Sequence, residues 1–183
     1  MDLLDFEADS LYFERPLRLE TERLLSEASH QYGEPAAEVA LLRAYFLEPK
    51  HLTVLVALYR FFFYQQRYPE ALLVADRALE ESARLLAIRA PWQRLGLEDM
   101  AHIAPTSMAL TRFYLLALKG AGYLKLRLGE YREALERLTK VAELDQSDRM
   151  GAGPLIQMAQ EALAEQKTNG DASQGDSALA VTA

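Results

Sequence analysis

Residues 52–85 read LTVLVALYRFFFYQQRYPEALLVADRALEESARL, and this stretch decides the fold. Leu55, Leu58 and Phe62 recur in its first half at steps of three and four residues, which places them on one stripe of a helix. Pro69 follows a polar turn and suits the first turn of a second helix, where its missing N–H would have no partner. The stretch therefore predicts two antiparallel helices joined by a short turn.

Small residues mark the second helix of this pair. Ala71, Ala75 and Ala78 follow at helical spacing, where small side chains let a neighbouring helix approach closely. One helix pair is too small to bury its apolar face, so the unit is expected to repeat. Positions about 34 residues earlier, one repeat back, carry Ala37, Leu41 and Ala44.

A third copy of the pattern is the clearest. It contains Gly129, Tyr131, Ala134 and Leu138 in the expected order. Ala134 follows Ala71 by more than one repeat length, so an insertion of about 29 residues separates the second and third copies. The sequence therefore predicts three helix pairs, with extra chain between the last two.

These copies resemble the tetratricopeptide repeat family, in which glycine, tyrosine, alanine, a large apolar residue and a small residue mark each helix-turn-helix. Val141 stands where the family usually has a small residue, and Gln146 where it has proline. The resemblance covers roughly residues 18–148. It implies an all-α, tetratricopeptide-type array of about three helix-turn-helix units, with a helical insertion and a C-terminal capping helix.

Three parts are expected along the chain. Residues 1–16 form an acidic and aromatic N-terminal arm, and residues 17–166 form the helical domain, with its insertion at about 86–105. Residues 167–183 are expected to be disordered, because their polar composition cannot bury enough apolar area to offset chain entropy. The last helix before this tail would cap the exposed core of the array.

The N-terminal arm has two interpretations. Its acidic residues are interleaved with apolar residues such as Phe6, Tyr12 and Phe13, and its first base is Arg15. Either the apolar residues fold back on the first helix, or the arm binds a partner or occupies the protein's own groove.

The insertion also has two interpretations. It is bounded by Pro91 and Pro105 and contains the only tryptophan, Trp92. Long loops in compact domains are often functional, which makes Trp92 a secondary candidate for contact with a partner. Alternatively, Trp92, Leu95 and Ile103 fill the gap between two long helices.

Charge and composition argue against several classes of protein. The net charge of −7 disfavours sequence-independent nucleic-acid binding, which relies on cations that neutralise phosphates. The absence of cysteine excludes disulfides, a cysteine nucleophile and a thiolate-bound cluster. The chain has no apolar run long enough to span a membrane, and its acidic start is unlike a signal peptide. We therefore expect a cytoplasmic protein that binds neither membranes nor nucleic acid.

No pattern of residues points to catalysis. His30, His51 and His102 are scattered, without the spacing of a metal motif. Gly120 and Gly122 lie inside a helical pattern and lack the residues that complete a phosphate-binding loop, so they favour close helix packing. The sequence therefore predicts a protein that is not an enzyme and uses no metal and no cofactor.

In the tetratricopeptide family, the first helix of each pair lines a concave groove that binds other proteins. The resemblance then implies a partner-binding groove lined by Val56, Arg60, Phe63, Tyr64, Lys119, Tyr123 and Arg127. Tyrosine and arginine concentrate binding energy at protein interfaces, so cations beside aromatic rings suit this role. In the other interpretation, Phe63 or Tyr64 packs against the next helix and the cations pair with neighbouring acids.

A narrower resemblance covers residues 41–64, LLRAYFLEPKHLTVLVALYRFFFY, and continues to Leu79. This stretch is similar to the small tetratricopeptide proteins encoded among nitrogen-fixation genes, the nitrogenase-associated factor T family. It implies an accessory protein that docks on the molybdenum-iron nitrogenase component during its maturation, storage or repair. The alternative is a generic tetratricopeptide adaptor or chaperone-like regulator that binds a peptide or helix in its concave groove.

Overall fold

The fold is described by a computed structural model that covers residues 16–179. Within this range the chain forms α-helices and one 3-10 helix, and no strand. The α-helices are α1 (Leu19–His30), α2 (Pro35–Leu47), α3 (Leu52–Tyr64), α4 (Tyr68–Leu85), α5 (Leu97–Ile103), α6 (Met108–Arg127), α7 (Tyr131–Leu144) and α8 (Gly153–Leu179). The 3-10 helix is Trp92–Arg94. Residues 1–15 of the predicted N-terminal arm lie outside the described residues.

The helices pack as hairpins that stack in chain order. α1 packs against α2, α3 against α4, and α6 against α7. The hairpins join through contacts of α2 with α3 and of α4 with α6, and α8 packs on α7 at the end of the stack. The predicted all-α array of helix pairs is therefore confirmed.

Small residues lie where the helices of the stack come closest. Ala37, Ala71 and Ala134, on α2, α4 and α7, are each completely buried. On α6, Gly122 lies so close to α7 that an added Cβ atom would be 2.9 Å from Cγ of Leu138. The close packing that the sequence predicts for Gly122 is thus present.

The turns after α3 and α6 have the same backbone geometry. Gln66 and Gly129 both adopt the left-handed conformation, with φ of 57° and 78°. The next N–H group in each turn, that of Arg67 or Glu130, donates to a carbonyl in the last turn of the preceding helix, at 2.9 and 3.0 Å. These bonds satisfy carbonyls that a helix end leaves unpaired. The second and third hairpins therefore close in the same way.

α4 ends at Leu85, directly before the predicted start of the insertion at about residue 86. No proline or glycine occurs before Pro91, so the helical pattern alone would continue α4 to about Arg89. Ala87 adopts a left-handed conformation with φ of 56°, and the N–H of Ile88 donates to the carbonyl of Ala83 at 2.9 Å. This local turn ends the helix without a proline or a glycine, which is why composition alone does not reveal the boundary.

The rest of the insertion packs onto the stack. The 3-10 helix and α5 both contact α7, and Leu95 and Met100 are buried there. α6 then begins after Ser107, whose Oγ accepts a hydrogen bond from the N–H of Leu110 at 3.2 Å. Ser107 is therefore the N-cap residue of this helix.

The last helix is longer than expected. The sequence predicts a helix to about residue 166 followed by a disordered tail, whereas the backbone of α8 is helical to Leu179. No proline occurs in residues 167–179 to remove a helical N–H group. The backbone of α8 therefore stays helical through polar residues whose composition gives no reason to expect a helix.

Candidate functional site

Aromatic and arginine side chains gather at the end of the stack where the hairpins turn. They come from the α1–α2 turn, the ends of α3 and α6, and the start of α4. We call this set the aromatic–arginine surface, and its members are Tyr32, Arg60, Phe63, Tyr64, Tyr68, Tyr123 and Arg127. The structure thus brings together five of the seven predicted groove residues.

Phe63 is the central ring of this surface. Its centroid lies 5.8 Å from that of Tyr64, 6.0 Å from that of Tyr68 and 5.9 Å from that of Tyr123. Aromatic pairs at such separations stabilise one another beyond the area that they bury. Phe63 is half-buried and joins α3 to α4 and α6. It therefore packs against neighbouring helices and also positions the tyrosines around it.

Arg127 supplies an exposed cation at the edge of the rings. Its guanidinium carbon lies 4.6 Å from the ring centroid of Tyr68, and its Nη1 donates to the hydroxyl of Tyr123 at 3.1 Å. The hydrogen bond to Tyr123 raises the pKa of Arg127 above its usual value. Among the side chains that the structure describes, no carboxylate forms an ion pair with Arg127, and tyrosines hold its guanidinium group instead.

Tyr64 and Tyr32 extend the surface toward the first hairpin. Tyr64 is 59% exposed, although it lies on the most apolar helix of the fold. Its ring is 6.4 Å from that of Tyr32. Burial and the neighbouring Tyr64 raise the pKa of Tyr32, while the charge of Arg60 acts in the opposite direction. The Tyr32 hydroxyl is therefore neutral at physiological pH and can donate a hydrogen bond.

Val56 and Lys119 do not contribute to this surface, contrary to their predicted position in the groove. Both are buried, and Lys119 is only 5% exposed. Nζ of Lys119 donates to the carbonyl oxygen of Met150 at 2.6 Å, in the connection between α7 and α8. The ammonium group is thus satisfied inside the fold, because the chain leading to the capping helix brings a carbonyl oxygen to it.

Trp92 packs against the stack. The guanidinium of Arg137 lies 5.4 Å from the centroid of its ring, and Nη1 of Arg137 is 2.7 Å from Oδ1 of Asp76. This ion pair joins α4 to α7 beside the half-buried tryptophan. The gap-filling interpretation of Trp92 therefore matches the geometry, and its role as a partner contact stays a prediction.

Two members of the surface were not predicted from the sequence. Tyr32 precedes Gly33 in the turn between α1 and α2. Tyr68 is the first residue of α4, a position where the repeat pattern predicts a residue that packs inside the hairpin. Their proximity to Tyr64 and Arg127 depends on how the hairpins stack. Helical periodicity describes one element at a time, so it carried no signal for these contacts.

The surface offers aromatic faces, hydroxyl groups and guanidinium groups. Among residues 16–179, no group of three or more His, Asp or Glu side chains is arranged to hold a metal ion. Over the same part of the chain, none of the helices combines the length and the apolar character that crossing a membrane requires.

The chain is similar to a known protein from a nitrogen-fixation gene region. No family model matches the chain, and no solved structure matches it. A protein of Azotobacter chroococcum mcd 1 is 46% identical over 165 residues, which cover 90% of this chain and 92% of the relative. That relative is described as an uncharacterized 19.8 kDa protein in the nifW 5′ region. The chain therefore belongs to the same family as this protein from a nitrogen-fixation gene region.

Proposed function

We propose that the protein is a non-catalytic, cytoplasmic accessory factor that binds another protein through the aromatic–arginine surface. The observation that carries this proposal is the placement of exposed Tyr64 and Arg127 at the rim of one continuous ring cluster. Tyrosine and arginine dominate binding energy at protein interfaces when they anchor on a rigid base. Half-buried Phe63 supplies such a base here.

The hairpins are, in this proposal, tetratricopeptide-type repeats. Support comes from the complete burial of Ala37, Ala71 and Ala134 and from the matching turns after α3 and α6. Arrays of this type present extended surfaces to other polypeptides because each repeat adds to a continuous face. The aromatic–arginine surface spans all three hairpins, as such a face would.

The proposed partner is the molybdenum-iron component of nitrogenase, bound during its maturation, storage or repair. The relative from the nifW 5′ region supports a nitrogen-fixation setting. The resemblance of residues 41–79 to nitrogenase-associated proteins supports the same partner. This role requires only side chains that contact the surface of another protein. The chain itself would need no metal and no cofactor for it.

Affinity purification of a tagged full-length chain from nitrogen-fixing cells tests this proposal. The expected result is enrichment of both subunits of the molybdenum-iron component, with enrichment lost in the Arg127→Ala variant. Phe46→Ala is a matched control, because Phe46 is a 78% exposed aromatic residue on α2, outside the surface. Absence of nitrogenase subunits, both in resting cells and after damage to the enzyme, would contradict the proposed partner. Recovery of a different protein through the same surface would favour the generic adaptor.

A further inference from the structure

A cavity of about 350 Å³ lies between α4, α6 and the start of the insertion. Its walls are mostly apolar and include Leu79 and Ala83 on α4 and Ile88, Pro91 and Trp92 in the insertion. Pockets that bind small molecules have volumes of about 300–1,000 Å³ and are lined by apolar and aromatic side chains with a few polar groups. This cavity is therefore large enough for a small organic molecule.

Tyr114 brings a hydroxyl group to the apolar walls of this cavity. The residue lies in the first half of α6, lines the cavity and is only 1% exposed. Burial alone raises the pKa of Tyr114 to about 12, and no hydrogen bond to a described residue contributes to that shift. A buried hydroxyl group without a partner is costly, because it has lost its hydrogen bonds to water. The neutral hydroxyl group is therefore a donor for a molecule that enters the cavity.

Arg84 supplies a positive charge at the mouth of the cavity. It is an exposed lining residue, and its Nε lies 2.7 Å from Oε2 of buried Glu81. The other lining charge, Glu80, accepts a hydrogen bond from Nη1 of Arg77 at 3.1 Å. The guanidinium group of an arginine has five N–H donors, and the pair with Glu81 uses the donor on Nε. Glu81 thus holds Arg84 in place while its Nη groups can bind an anion.

We propose that this cavity binds a small carboxylic acid that also carries an uncharged hydrogen-bond acceptor, such as a carbonyl group. The carbonyl oxygen accepts the hydrogen bond of Tyr114, the carboxylate pairs with Arg84, and the apolar body packs against Trp92. Arginine suits this role because its planar N–H groups match the two oxygens of a carboxylate. The site does not depend on the proposed function, since none of its lining residues belongs to the aromatic–arginine surface.

Titration of the full-length chain with levulinate, a short keto acid, tests this proposal. Trp92 is the only tryptophan of the chain and lines the cavity, so its fluorescence reports occupancy. Levulinate is expected to bind about tenfold more tightly than pentanoate, which lacks the carbonyl group, because one hydrogen bond is lost. Methyl propyl ketone, which lacks the carboxylate, is expected to bind more weakly by a similar factor. Equal binding of the three compounds would contradict the proposed recognition.

Substitution of Tyr114 tests the role of its hydroxyl group. Tyr114→Phe keeps the ring and is expected to lower the affinity for levulinate to that for pentanoate, with the affinity for pentanoate unchanged. Tyr45→Phe is the matched control, because Tyr45 is a half-buried tyrosine on α2 that does not line the cavity. Loss of pentanoate binding in Tyr114→Phe to the same extent would show a general packing effect and would contradict the proposed hydrogen bond.

The stability of Tyr114→Phe without any ligand gives an independent result. Removal of a buried hydroxyl group that has no partner should leave the midpoint of urea denaturation unchanged or raise it. A lower midpoint than that of Tyr45→Phe would show that the Tyr114 hydroxyl is bonded within the fold. Its availability to a ligand, and with it the proposal, would then be refuted.

A neighbouring cavity also contacts Trp92 and requires a control. It lies between the insertion and α7, and Thr139 is among its lining residues. Ala83→Leu places a larger side chain in the proposed site and is expected to abolish levulinate binding with helical content unchanged, whereas Thr139→Leu is expected to bind normally. The opposite pattern would place the ligand in the neighbouring cavity and overturn the proposal. So would the absence of saturable levulinate binding, both by fluorescence and by ligand-observed NMR.

Discussion

At the scale of single residues, Lys119 and Arg127 show how position decides what a cation does. Both lie on α6, about two helical turns apart. Lys119 is buried against the carbonyl of Met150, whereas Arg127 is exposed and lies over the ring of Tyr68. A buried ammonium group needs hydrogen-bond partners inside the fold. An exposed guanidinium group beside aromatic rings can bind a further ligand while it keeps its contacts with the rings. Only Arg127 is therefore suited to contact a partner.

Gly122 gives a prediction at the same scale. In Gly122→Ala the new Cβ atom would lie 2.9 Å from Cγ of Leu138 and 3.2 Å from Cβ of Arg137, so α6 and α7 must move apart. Overpacking of this kind costs about 1–3 kcal/mol. We expect the free energy of unfolding, measured by urea denaturation, to fall by that amount.

Gly153→Ala is the control for this substitution. Gly153 begins α8, and an added Cβ atom would meet only Oδ2 of Asp148, at 3.4 Å. Its free energy of unfolding should change by less than about 0.5 kcal/mol. Equal effects of the two substitutions would show that the α6–α7 contact is not as tight as the structure indicates.

At the scale of helices, the sequence predicts the pairs well and their ends less well. Periodic apolar positions and the alanines of α2, α4 and α7 are local signals, and they located each hairpin. The end of α4 depends on a left-handed Ala87, which no local pattern requires. The burial of Lys119 depends on a segment distant in the sequence, because its Nζ donates to the carbonyl of Met150, which lies beyond α7. The helix pairs could therefore be predicted from local signals, whereas the contact of Lys119 with the segment before α8 could not.

The packing of α3 gives a prediction at this scale. Leu58 on α3 is 3% exposed and belongs to the hydrophobic core. Leu58→Ala should reduce the free energy of unfolding by about 2–5 kcal/mol, because it removes buried apolar atoms and leaves a cavity. Leu73→Ala on α4 is the matched control, since Leu73 is 72% exposed and its substitution should have little effect. Circular dichroism during urea denaturation measures both, and a Leu58→Ala variant as stable as Leu73→Ala would refute the core position of Leu58.

At the scale of the whole molecule, Glu48 ties the start of the fold to the second hairpin. Burial alone would raise the pKa of Glu48, but the hydrogen bond from the N–H of Arg18, together with the neighbouring Thr21, His51 and Arg18 side chains, lowers it. A carboxyl group whose pKa is lowered by folding stabilises the folded state above its unfolded pKa. That contribution is lost as the pH falls through the pKa of the folded state.

The stability of the whole molecule should therefore depend on pH through Glu48. Glu48→Gln is expected to lower the free energy of unfolding at pH 7, and the difference from the unmodified chain should shrink below a pH of about 4.5, the ordinary carboxyl value. Urea denaturation at several pH values measures this difference. Exposed Glu136→Gln on α7 serves as the control and should show a much smaller difference. A difference for Glu48→Gln that grows as the pH falls would contradict this account.

The stacked hairpins gather, from three separate parts of the chain, a set of rings and cations that no single helix could present. Binding of the purified molybdenum-iron nitrogenase component to the full-length chain, measured by titration, tests this central claim most directly. The account predicts that Tyr64→Ala with Arg127→Ala weakens binding by about tenfold or more, with helical content unchanged, while Phe46→Ala binds like the unmodified chain. Equal affinity of the double variant and the unmodified chain, or no binding by either, would contradict it.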